Sequence, residues 1–325
     1  MDRQVVLVTG GAGFVGNFLA EKYLVEGHTV KILDDFSTGD PNNIRRLFNH
    51  RHFKLVRGDV RDYGLLQRVT GDVDVIFHLA AQIHVDKSIV DPIHTFEVNT
   101  LGTLNVLNVS LENDIKQVIY ASSSEVYGSA QYTPMDEQHP LNPASPYAAS
   151  KAAADRLCYS YYNTYKLNAS IVRSFNTFGP RQKSAGYGGA ISIFVDRVLS
   201  GLPPVIYGDG LQKRDYLYIE DAVEAYDLVF NSGEKLSGKA INFGSGEPIT
   251  ILDLARKIVT LCGKEKDLRP VHVTPRPGEV QELCADTSLA RNVLGFKPKH
   301  TIEEGLVKFI DWYKGYRHEE WTVPG

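Results

Sequence analysis

Short apolar runs rich in β-branched residues alternate with amphipathic stretches through the first half of the chain. The runs read VVLVTG, TVKILD, FKLVRGD, VDVIFHLA and KQVIYASS, and a sixth, ASIVRSFN, follows at 169–176. The amphipathic stretches between them include residues 17–26 and 95–113. Strands that are apolar on both faces and alternate with helices are typical of a parallel sheet covered by helices on both sides. The pattern therefore predicts an α/β fold built on a doubly wound parallel sheet.

The composition of the chain changes after the sixth run. Residues 179–215 are rich in glycine, proline and aromatic residues, and strand-like and helix-like segments then alternate less regularly. The stretch ITILDLARKIVTLCG predicts a helix with Thr250 as its N-cap and Gly263 at its end. We expect a first domain over residues 1–178 and a smaller C-terminal α/β lobe over 179–325 that is partly interleaved with it.

The bulk composition is that of an ordinary globular protein. The formal net charge of the 325 residues is −4, which gives no support to nucleic acid or an anionic membrane surface as a partner. The three cysteines, Cys158, Cys262 and Cys284, are far apart and in no metal-ligand spacing, so we expect reduced packing residues and no metal. No signal-peptide pattern or membrane-spanning apolar run is evident, and we expect a cytoplasmic protein.

The stretch TGGAGFVG lies between the first predicted strand and the first predicted helix. Its glycines Gly10, Gly13 and Gly16 permit a tight turn, close approach of the backbone to a pyrophosphate, and close packing of helix on strand. Asp34 ends the second predicted strand, 18 residues after Gly16, where a carboxylate can bind a ribose diol and would repel a 2′-phosphate. The pattern predicts a Rossmann-like domain that binds NAD rather than NADP. The alternative is a structural βα turn followed by an exposed acid.

Two further strand ends fit the same ligand. Asp59 follows the third predicted strand, where its side chain could meet an adenine amino group, with a simple turn cap as the alternative. Ala80 and Ala81, within HLAAQ, follow the fourth strand and leave room for a cofactor to pass closely.

Tyr147 and Lys151 are four residues apart in SPYAASK, which places them on one face of a helix. A nearby ammonium favours the phenolate form of a tyrosine, so Tyr147 could take a hydroxyl proton while hydride leaves the same carbon for NAD. Lys151 could also hydrogen-bond the nicotinamide ribose. The spacing says little alone in a chain with 17 tyrosines, but its place behind a glycine motif and a serine-rich strand end strengthens it.

Taken together, these motifs resemble those of the extended short-chain dehydrogenase/reductases, in the group of nucleotide-sugar epimerases and dehydratases. The resemblance covers nearly the whole chain through TGGAGFVG, HLAAQ, SSSEVYG, YAASK, RSFNTFGPRQ, YGDGLQKRDYLYIEDA and PRPGE. It implies a tightly held NAD, a nucleoside-diphosphate sugar as substrate, transient oxidation of that sugar at C4, and return of the hydride before product release.

The resemblance also implies roles for individual residues. Tyr147 and Lys151 would be the reacting pair, and Ser123 the hydroxyl that orients the sugar O4. Three residues would contact the nucleotide diphosphate: Asn176, Arg214 and Arg276. Arginine suits that role because its planar fork binds phosphate oxygens bidentately, although a surface ion pair is the alternative for either one. The residues implied in cofactor binding are Gly10, Gly13, Phe14, Val15, Gly16, Asp34, Asp35, Ser37, Thr38, Asp59, Val60, Leu79, Ala80, Ala81, Asn99, Tyr147 and Lys151.

Glu125, in ASSSEVYG, is the residue that distinguishes a 4-epimerase from a 4,6-dehydratase. A 4-epimerase needs no base for carbon, and epimerase-like sequences usually carry a small residue there. A 4,6-dehydratase needs a base for the C5 proton and an acid for the departing 6-hydroxyl. Many dehydratase-like sequences carry Asp-Glu at this point and others carry Ser-Glu, as here. Glu125 would then serve as base and acid in turn, with Ser124 relaying a proton or positioning it.

Other features leave alternatives open beside the favoured 4,6-dehydratase. The loop KSAGYGGAISIFVDRV, with Gly186, Gly188 and Gly189, resembles that of hexose 4-epimerases at least as much. Decarboxylases of nucleotide-linked uronic acids also carry Ser-Glu but differ around the catalytic tyrosine. Glu125 could also be a structural acid satisfied by backbone N–H groups. A non-catalytic NAD-binding sensor would be expected to lose Ser123, Tyr147 or Lys151, and all three are present.

The resemblance implies a homodimer formed through a four-helix bundle. The helices expected to form it are 95–113 and Tyr147–Tyr165. Tyr159, Tyr161 and Tyr162 would suit such an interface if exposed, although core packing explains them equally well.

Overall fold

The computed structural model of the protein describes residues 3–182, 189–276 and 279–315. Its strands, in chain order, are β1 (Val5–Thr9), β2 (Thr29–Asp34), β3 (Phe53–Arg57), β4 (Val75–His78), β5 (Gln117–Ala121), β6 (Ala169–Ser174), β7 (Asn176–Phe178), β8 (Val205–Tyr207), β9 (Lys213–Arg214), β10 (Tyr216–Tyr218), β11 (Ala240–Phe243), β12 (Ile249–Thr250) and β13 (Val271–Val273).

Seven of these strands form one parallel sheet in the order β11-β6-β5-β4-β1-β2-β3. The first six strands lie within the six predicted apolar runs, and their order 3-2-1-4-5-6 is that of a Rossmann fold. The predicted α/β fold with a doubly wound parallel sheet is confirmed. The seventh strand, β11, comes from residues 240–243 and pairs with β6, so a segment beyond residue 178 completes the sheet.

The helices are α1 (Phe14–Val25), α2 (Pro41–Ile44), α3 (Tyr63–Thr70), α4 (Val85–Val90), α5 (Pro92–Phe96), α6 (Gly102–Glu112), α7 (Pro146–Tyr165), α8 (Ala190–Leu199), α9 (Ile219–Phe230), α10 (Ile251–Leu261), α11 (Ser288–Leu294) and α12 (Ile302–Gly315). The Thr250 hydroxyl accepts a hydrogen bond from the Asp253 N–H at the start of α10, and Gly263, with φ of +67°, follows its end. Both predicted helix boundaries are confirmed.

The predicted helix over 95–113 is not uniform. A π-helical turn, Glu97–Leu101, separates α5 from α6. Helix α7 matches its predicted span, but its tyrosines differ in exposure. Tyr159 is exposed, whereas Tyr161 is buried and donates a hydrogen bond to Asn108 Oδ1 (2.6 Å). Of the two alternatives for Tyr161, core packing is therefore the one that the structure supports, because this face of α7 packs on α6.

Both faces of the sheet are buried. Along β1, Val6 and Val8 pack with α1 and α9 on one face, and Leu7 packs with α3, α6 and α7 on the other. This alternation explains why the strands are apolar throughout. A third apolar cluster joins α8, α10 and α12 around residues such as Phe194, Leu254 and Phe309. The catalytic candidates lie beside a fourth apolar cluster, which includes Val126, Tyr127 and Ala152.

Three short two-stranded pairings hold the C-terminal segments in place: β10 with β7, β12 with β9, and β13 with β8. Among the helices in the described ranges, none is long and apolar enough to cross a bilayer. Cys158, Cys262 and Cys284 are free thiols, and the first and last of them are buried.

Candidate active site

The glycine motif forms a turn that leaves no room for side chains. Gly10 has φ of +69°, and a Cβ there would lie 2.8 Å from the backbone nitrogen of Ala80. A Cβ on Gly16 would overlap the carbonyl oxygen of Gly10. Gly13 is the N-cap of α1, and no side chain in the described ranges caps this helix. Phe14, Val15 and Gly16 therefore present first-turn N–H groups of the kind that bind phosphate.

Asp34 ties this turn to the end of β2. Its carboxylate is buried and accepts hydrogen bonds from the backbone N–H groups of Ala12 (2.8 Å) and Phe36 (2.8 Å). Asp35 is exposed and accepts bonds from the N–H and the hydroxyl of Ser37, and Thr38 follows in the same loop. The structure thus gives Asp34 a structural role beside the ribose contact, which stays a prediction.

Asp59 is engaged by a neighbouring arginine. Its oxygens accept hydrogen bonds from the backbone N–H of Arg61 (2.8 Å) and from its guanidinium (2.6 and 2.9 Å). Burial alone would raise the pKa of Asp59, but the Arg61 contacts hold it below its ordinary value. Val60 beside it is buried against Gly102. Asp59 therefore anchors the β3 loop, and its adenine contact stays a prediction.

The loop after β4 is fixed by a buried histidine that sequence reasoning missed. His78 Nδ1 lies 2.7 Å from Thr9 Oγ1, and Nε2 lies 2.9 Å from Thr103 Oγ1. Thr103 gives its proton to the Asn99 carbonyl, and Thr9 accepts from the Ala80 N–H. Because Thr103 has no second proton, Nε2 of His78 must donate and Nδ1 must accept. Burial lowers the pKa of His78 to about 3, which keeps the ring neutral.

Asn99 lies in the π-helical turn and joins two parts of the site. Its amide accepts from the Gln82 N–H (2.7 Å) and donates to the Gln82 carbonyl (3.0 Å) and to Ser150 Oγ (2.9 Å). Ser150 in turn donates to the carbonyl of Tyr147. Asn99 thereby connects the loop of Leu79, Ala80 and Ala81 to α7. A π turn is frequent at functional sites, and the uninterrupted periodicity of 95–113 gave no sign of it.

Tyr147 and Lys151 lie on one face of α7. The sequence suggested that the Lys151 ammonium lies near the Tyr147 phenol, but the structure directs it elsewhere. The Lys151 ammonium is buried, donates to the Ala121 carbonyl and lies over the Tyr120 ring. Burial lowers the pKa of Lys151 to about 8. Burial raises the pKa of Tyr147 to about 12, and Lys151 does not offset this because its ammonium is directed towards strand β5.

The serine-rich strand end forms a short 3₁₀ turn, Ser124–Tyr127, capped by Ser123. Ser123 is close enough to Tyr147 to lower its pKa, and Glu125 is close enough to raise it. The structure therefore brings Ser123, Glu125 and Tyr147 together. Ser124 is buried at the first position of the turn.

The Glu125 carboxylate is not used structurally within the described ranges. Its backbone N–H and carbonyl are hydrogen-bonded, but no N–H or hydroxyl there donates to its side-chain oxygens. The described residues therefore give no support to the interpretation of Glu125 as an acid satisfied by backbone N–H groups. Burial raises the pKa of Glu125, Arg214 opposes the shift and Glu279 adds to it. A partly buried carboxyl group with a raised pKa suits proton transfer near neutral pH.

One of the predicted substrate residues, Arg214, approaches Glu125 from the C-terminal segments. Arg214 is largely buried and pairs with Glu279 (Nη2 to Oε1, 2.7 Å). Asn176 donates from its side chain to the carbonyl of Asp215 (3.2 Å), next to Arg214. The sequence did not indicate the Glu279 partner, because the pair depends on two segments 65 residues apart.

Arg276 lies further out. Its guanidinium stacks on the Tyr207 ring, 4.0 Å from the centroid, and lies 3.8 Å from Asp86. Gly189 is the N-cap of α8, whereas Gly186, Gly188 and part of PRPGE lie outside the described residues. The substrate contact of Arg276 stays a prediction.

The arrangement fits a dinucleotide at the carboxyl edge of the parallel sheet. The turn at Gly10 and the uncapped start of α1 suit a pyrophosphate, and the strand ends of β4, β5 and β6 place Ala80, Ser123 and Asn176 along one edge. In the described part of the chain, no three His, Cys, Asp or Glu side chains cluster as metal ligands would. At this edge Ser123, Glu125 and Tyr147 lie together, and Lys151 shares the face of α7 that carries Tyr147.

Comparisons with known proteins identify the family. The family model described as GDP-mannose 4,6 dehydratase matches residues 7–309. The UDP-glucose 4-epimerase of Mycolicibacterium smegmatis is 36% identical over 95% of this chain and 98% of its own length. The dTDP-glucose 4,6-dehydratase of Streptomyces niveus is 34% identical over 98% of this chain and 95% of its own.

A solved structure agrees with both. DesIV, a dTDP-glucose 4,6-dehydratase from Streptomyces venezuelae with NAD bound, superposes with a TM-score of 0.89 at 32% identity, covering 96% of this chain and 97% of that one. The chain belongs to this family of extended short-chain dehydrogenase/reductases, whose members are sugar-nucleotide epimerases and dehydratases.

Proposed function

We propose that the protein is an NAD-dependent NDP-hexose or NDP-N-acetylhexosamine 4,6-dehydratase in which Glu125 is the base for C5. The observation that carries this proposal is the Glu125 carboxylate itself: it lies beside Tyr147 and Arg214, has a raised pKa, and accepts no hydrogen bond from the described residues. An epimerase has no use for such a group.

Bound along this edge of the sheet, NAD would supply what the side chains cannot: an acceptor for the C4 hydride and its later donor, at C6 in a dehydratase. Tyr147 takes the proton of the C4 hydroxyl, which Ser123 holds in position. The new ketone makes the C5 proton acidic, and Glu125 removes it. Glu125 then gives that proton to the departing C6 hydroxyl, so that one water leaves and the carboxylate is restored. When hydride is added at C6, C5 regains a proton, which balances the one that Tyr147 took from the C4 hydroxyl.

One of the predicted diphosphate contacts, Arg214, lies beside this centre. Arg214 is held by Glu279 with its guanidinium close to Glu125, and a diphosphate would add a second anion to the same cation. Asn176, on β7, donates to the backbone carbonyl of Asp215, the residue after Arg214. A sugar held through its diphosphate at Arg214 would extend towards Ser123 and Tyr147, as C4 oxidation requires.

A UDP-hexose 4-epimerase is the second candidate. It is favoured by the 36% identity to the Mycolicibacterium smegmatis UDP-glucose 4-epimerase, slightly above that to the dehydratase of Streptomyces niveus. In that reaction Tyr147 and Ser123 keep their roles, and the hydride returns to the opposite face of C4. Glu125 would then have no proton to move.

Product analysis separates the two functions. The purified protein would be incubated with UDP-, dTDP-, GDP- and CDP-hexoses and their N-acetyl forms, and the products separated and weighed by mass spectrometry. Loss of the mass of one water supports the dehydratase. An unchanged mass with a new retention time supports the epimerase. The Tyr147→Phe variant is the control and should give neither product.

We also propose the homodimer that the resemblance implies, formed through residues 95–113 and α7 together with the adjoining α4 and α5. Val90 and Ile93 are 86% and 73% exposed, and Ile93 lines an apolar cavity of about 560 Å³ together with Phe96, Leu101 and Leu104. Tyr159 and Tyr165 of α7 are exposed as well. Exposed apolar residues in such number favour a protein interface. Light scattering on the wild type should give twice the monomer mass, and Ile93→Glu should give the monomer mass; a monomeric wild type would refute the dimer.

A further inference from the structure

A buried carboxylate lies on the same face of α7 as the reacting pair. Tyr147, Lys151 and Asp155 follow one another at intervals of four residues, and Asp155 is fully buried. Its carboxylate accepts hydrogen bonds from Ser122 Oγ (2.9 Å) and from Arg173 Nε (2.8 Å) and Nη2 (3.0 Å). Asp155 thus ties the helix of Tyr147 to the residue that precedes the catalytic turn, here defined as residues 123–126.

The other end of the catalytic turn is held by the same ion pair. Arg173, itself 2% exposed, donates from Nη1 to the Tyr127 hydroxyl (2.8 Å). The Tyr127 hydroxyl in turn donates a hydrogen bond to Asn242 Oδ1 (2.7 Å). The guanidinium carbon of Arg173 also lies 4.9 Å from the centroid of the Tyr127 ring. Residues 122 and 127, which flank the catalytic turn, are therefore both bonded to the Asp155–Arg173 pair.

A gain in folding stability does not explain why the Asp155–Arg173 ion pair is buried here. A buried ion pair rarely stabilises a fold more than apolar residues of the same volume would, because both charges lose their water. Burial alone would raise the pKa of Asp155, but the bonds from Arg173 hold it below its ordinary value, so the carboxylate stays charged. What an ion pair provides and an apolar contact does not is fixed direction, since each bond has a preferred length and angle.

We propose that Asp155 is a positioning residue that fixes the catalytic turn against Tyr147, through Ser122 at one end and through Arg173 and Tyr127 at the other. The hydroxyl of Ser123 and the carboxylate of Glu125 are thereby kept in place over the C4 and C5 atoms of the sugar. The proposal rests on the proposed function only for C4 oxidation, which the dehydratase and the epimerase share.

Variants that remove one hydroxyl test the proposal without removing charge. Asp155→Asn would leave Arg173 buried opposite a neutral group and can prevent folding, so Ser122→Ala and Tyr127→Phe are used instead. The matched controls are Ser110→Ala and Tyr23→Phe. Each control removes a buried hydroxyl that bonds away from the turn, to the Val106 carbonyl and to Asp227.

The measurements are the melting temperature, KM, and the single-turnover rate of C4 oxidation, followed as reduced nicotinamide at 340 nm. Displacement of reacting groups by about 1 Å costs up to about 100-fold in rate, so Ser122→Ala and Tyr127→Phe should each lower the oxidation rate about 10- to 100-fold. KM should change less than about 3-fold, because the diphosphate contacts are untouched. Ser122→Thr, which keeps the hydroxyl, should restore the rate.

A purely structural role predicts a different result. In that case the Ser122 and Tyr127 variants would melt earlier but oxidise at the rate of Ser110→Ala and Tyr23→Phe, and the proposal would be overturned. Failure of Ser122→Thr to recover more rate than Ser122→Ala would overturn it too. The product mass from the wild type decides the proposed function separately, since a product that has lost no water leaves the comparison of oxidation rates intact.

Discussion

The ammonium of Lys151 lies 4.5 Å from the centroid of the Tyr120 ring. The contact is a cation–π interaction in a buried site, where the ring face replaces part of the water that the ammonium has lost. The Ala121 carbonyl accepts one of its protons. A buried lysine held by a ring and a carbonyl, rather than by a carboxylate, is readily deprotonated.

Lys151 should make the stability of the protein depend on pH. Burial lowers its pKa from 10.5 to about 8. Between these values the unfolded chain holds a proton that the folded protein has released, so the free energy of unfolding should rise with pH across this window. The contribution is at most about 3 kcal/mol, because one pKa unit corresponds to about 1.4 kcal/mol. Urea unfolding at pH 7.5, 8.5 and 9.5 would measure it.

Lys151→Met is the matched variant for that measurement, because it keeps the side-chain length and removes the titrating group. The difference in unfolding free energy between wild type and variant should change in favour of the wild type as the pH rises. A difference that stays constant from pH 7.5 to 9.5 would mean that Lys151 keeps its proton in the folded protein.

His78 should make the protein sensitive to acid. Burial lowers its pKa from 6.5 to about 3, so between these values only the unfolded chain binds the proton. The free energy of unfolding should therefore fall as the pH falls below 6.5, by about 2 kcal/mol between pH 7 and pH 5. In His78→Gln, the fall in unfolding free energy between pH 7 and pH 5, measured by urea unfolding, should be smaller by about that amount. His272→Gln, at an exposed histidine, controls for the loss of a histidine, and equal slopes in all three proteins would refute the role of His78.

Gly10→Ala should prevent the glycine turn from forming. A left-handed alanine costs about 1 kcal/mol of strain. At Gly10 the new Cβ would also lie 2.8 Å from the Ala80 nitrogen, which belongs to rigid backbone. Overpacking of this kind adds about 1–3 kcal/mol and should lower the cofactor content of the purified protein.

Gly263→Ala is the control, because Gly263 has nearly the same φ, +67°, and no atom within 4 Å of the added Cβ. The two variants would be compared by melting temperature and by NAD released on heating. Equal melting temperatures and equal amounts of released NAD would show that the close approach of Ala80 does not limit substitution at Gly10.

Glu125→Gln should separate the two halves of the proposed reaction. The amide keeps the shape of the side chain but cannot take the C5 proton, so dehydration should fall about 10²- to 10⁴-fold, the usual contribution of a general base. Oxidation at C4 should continue, whereas Tyr147→Phe should suppress both. Product mass and reduced nicotinamide absorbance measure the two steps. Full turnover by Glu125→Gln would return Glu125 to a structural role.

The features that could be predicted from sequence are those that depend on neighbours along the chain. Six strands, the glycine turn, the caps of α10 and the shared face of Tyr147 and Lys151 all follow from local spacing. The resemblance then named most of the residues that surround the site. None of this required knowledge of distant contacts.

The features that could not be predicted join residues far apart in sequence. The chain from Thr9 through His78 to Thr103 needs β1, β4 and α6 to be placed first. The motif HLAAQ drew attention to its alanines, although its histidine holds the loop. The direction of the Lys151 ammonium could not be predicted for the same reason, since the Ala121 carbonyl that accepts its hydrogen bond is 30 residues away.

Strand β6 remains an open edge until residues 240–243 have been synthesised, because β11 is its outer partner. More than sixty residues must therefore emerge between the two strands, and a nascent chain that pauses in this interval carries unpaired N–H and carbonyl groups along β6. The sheet closes late and through a long-range parallel pairing, which is slow. Chain elongation rate and chaperone supply should thus affect the yield of this protein more than its final stability does.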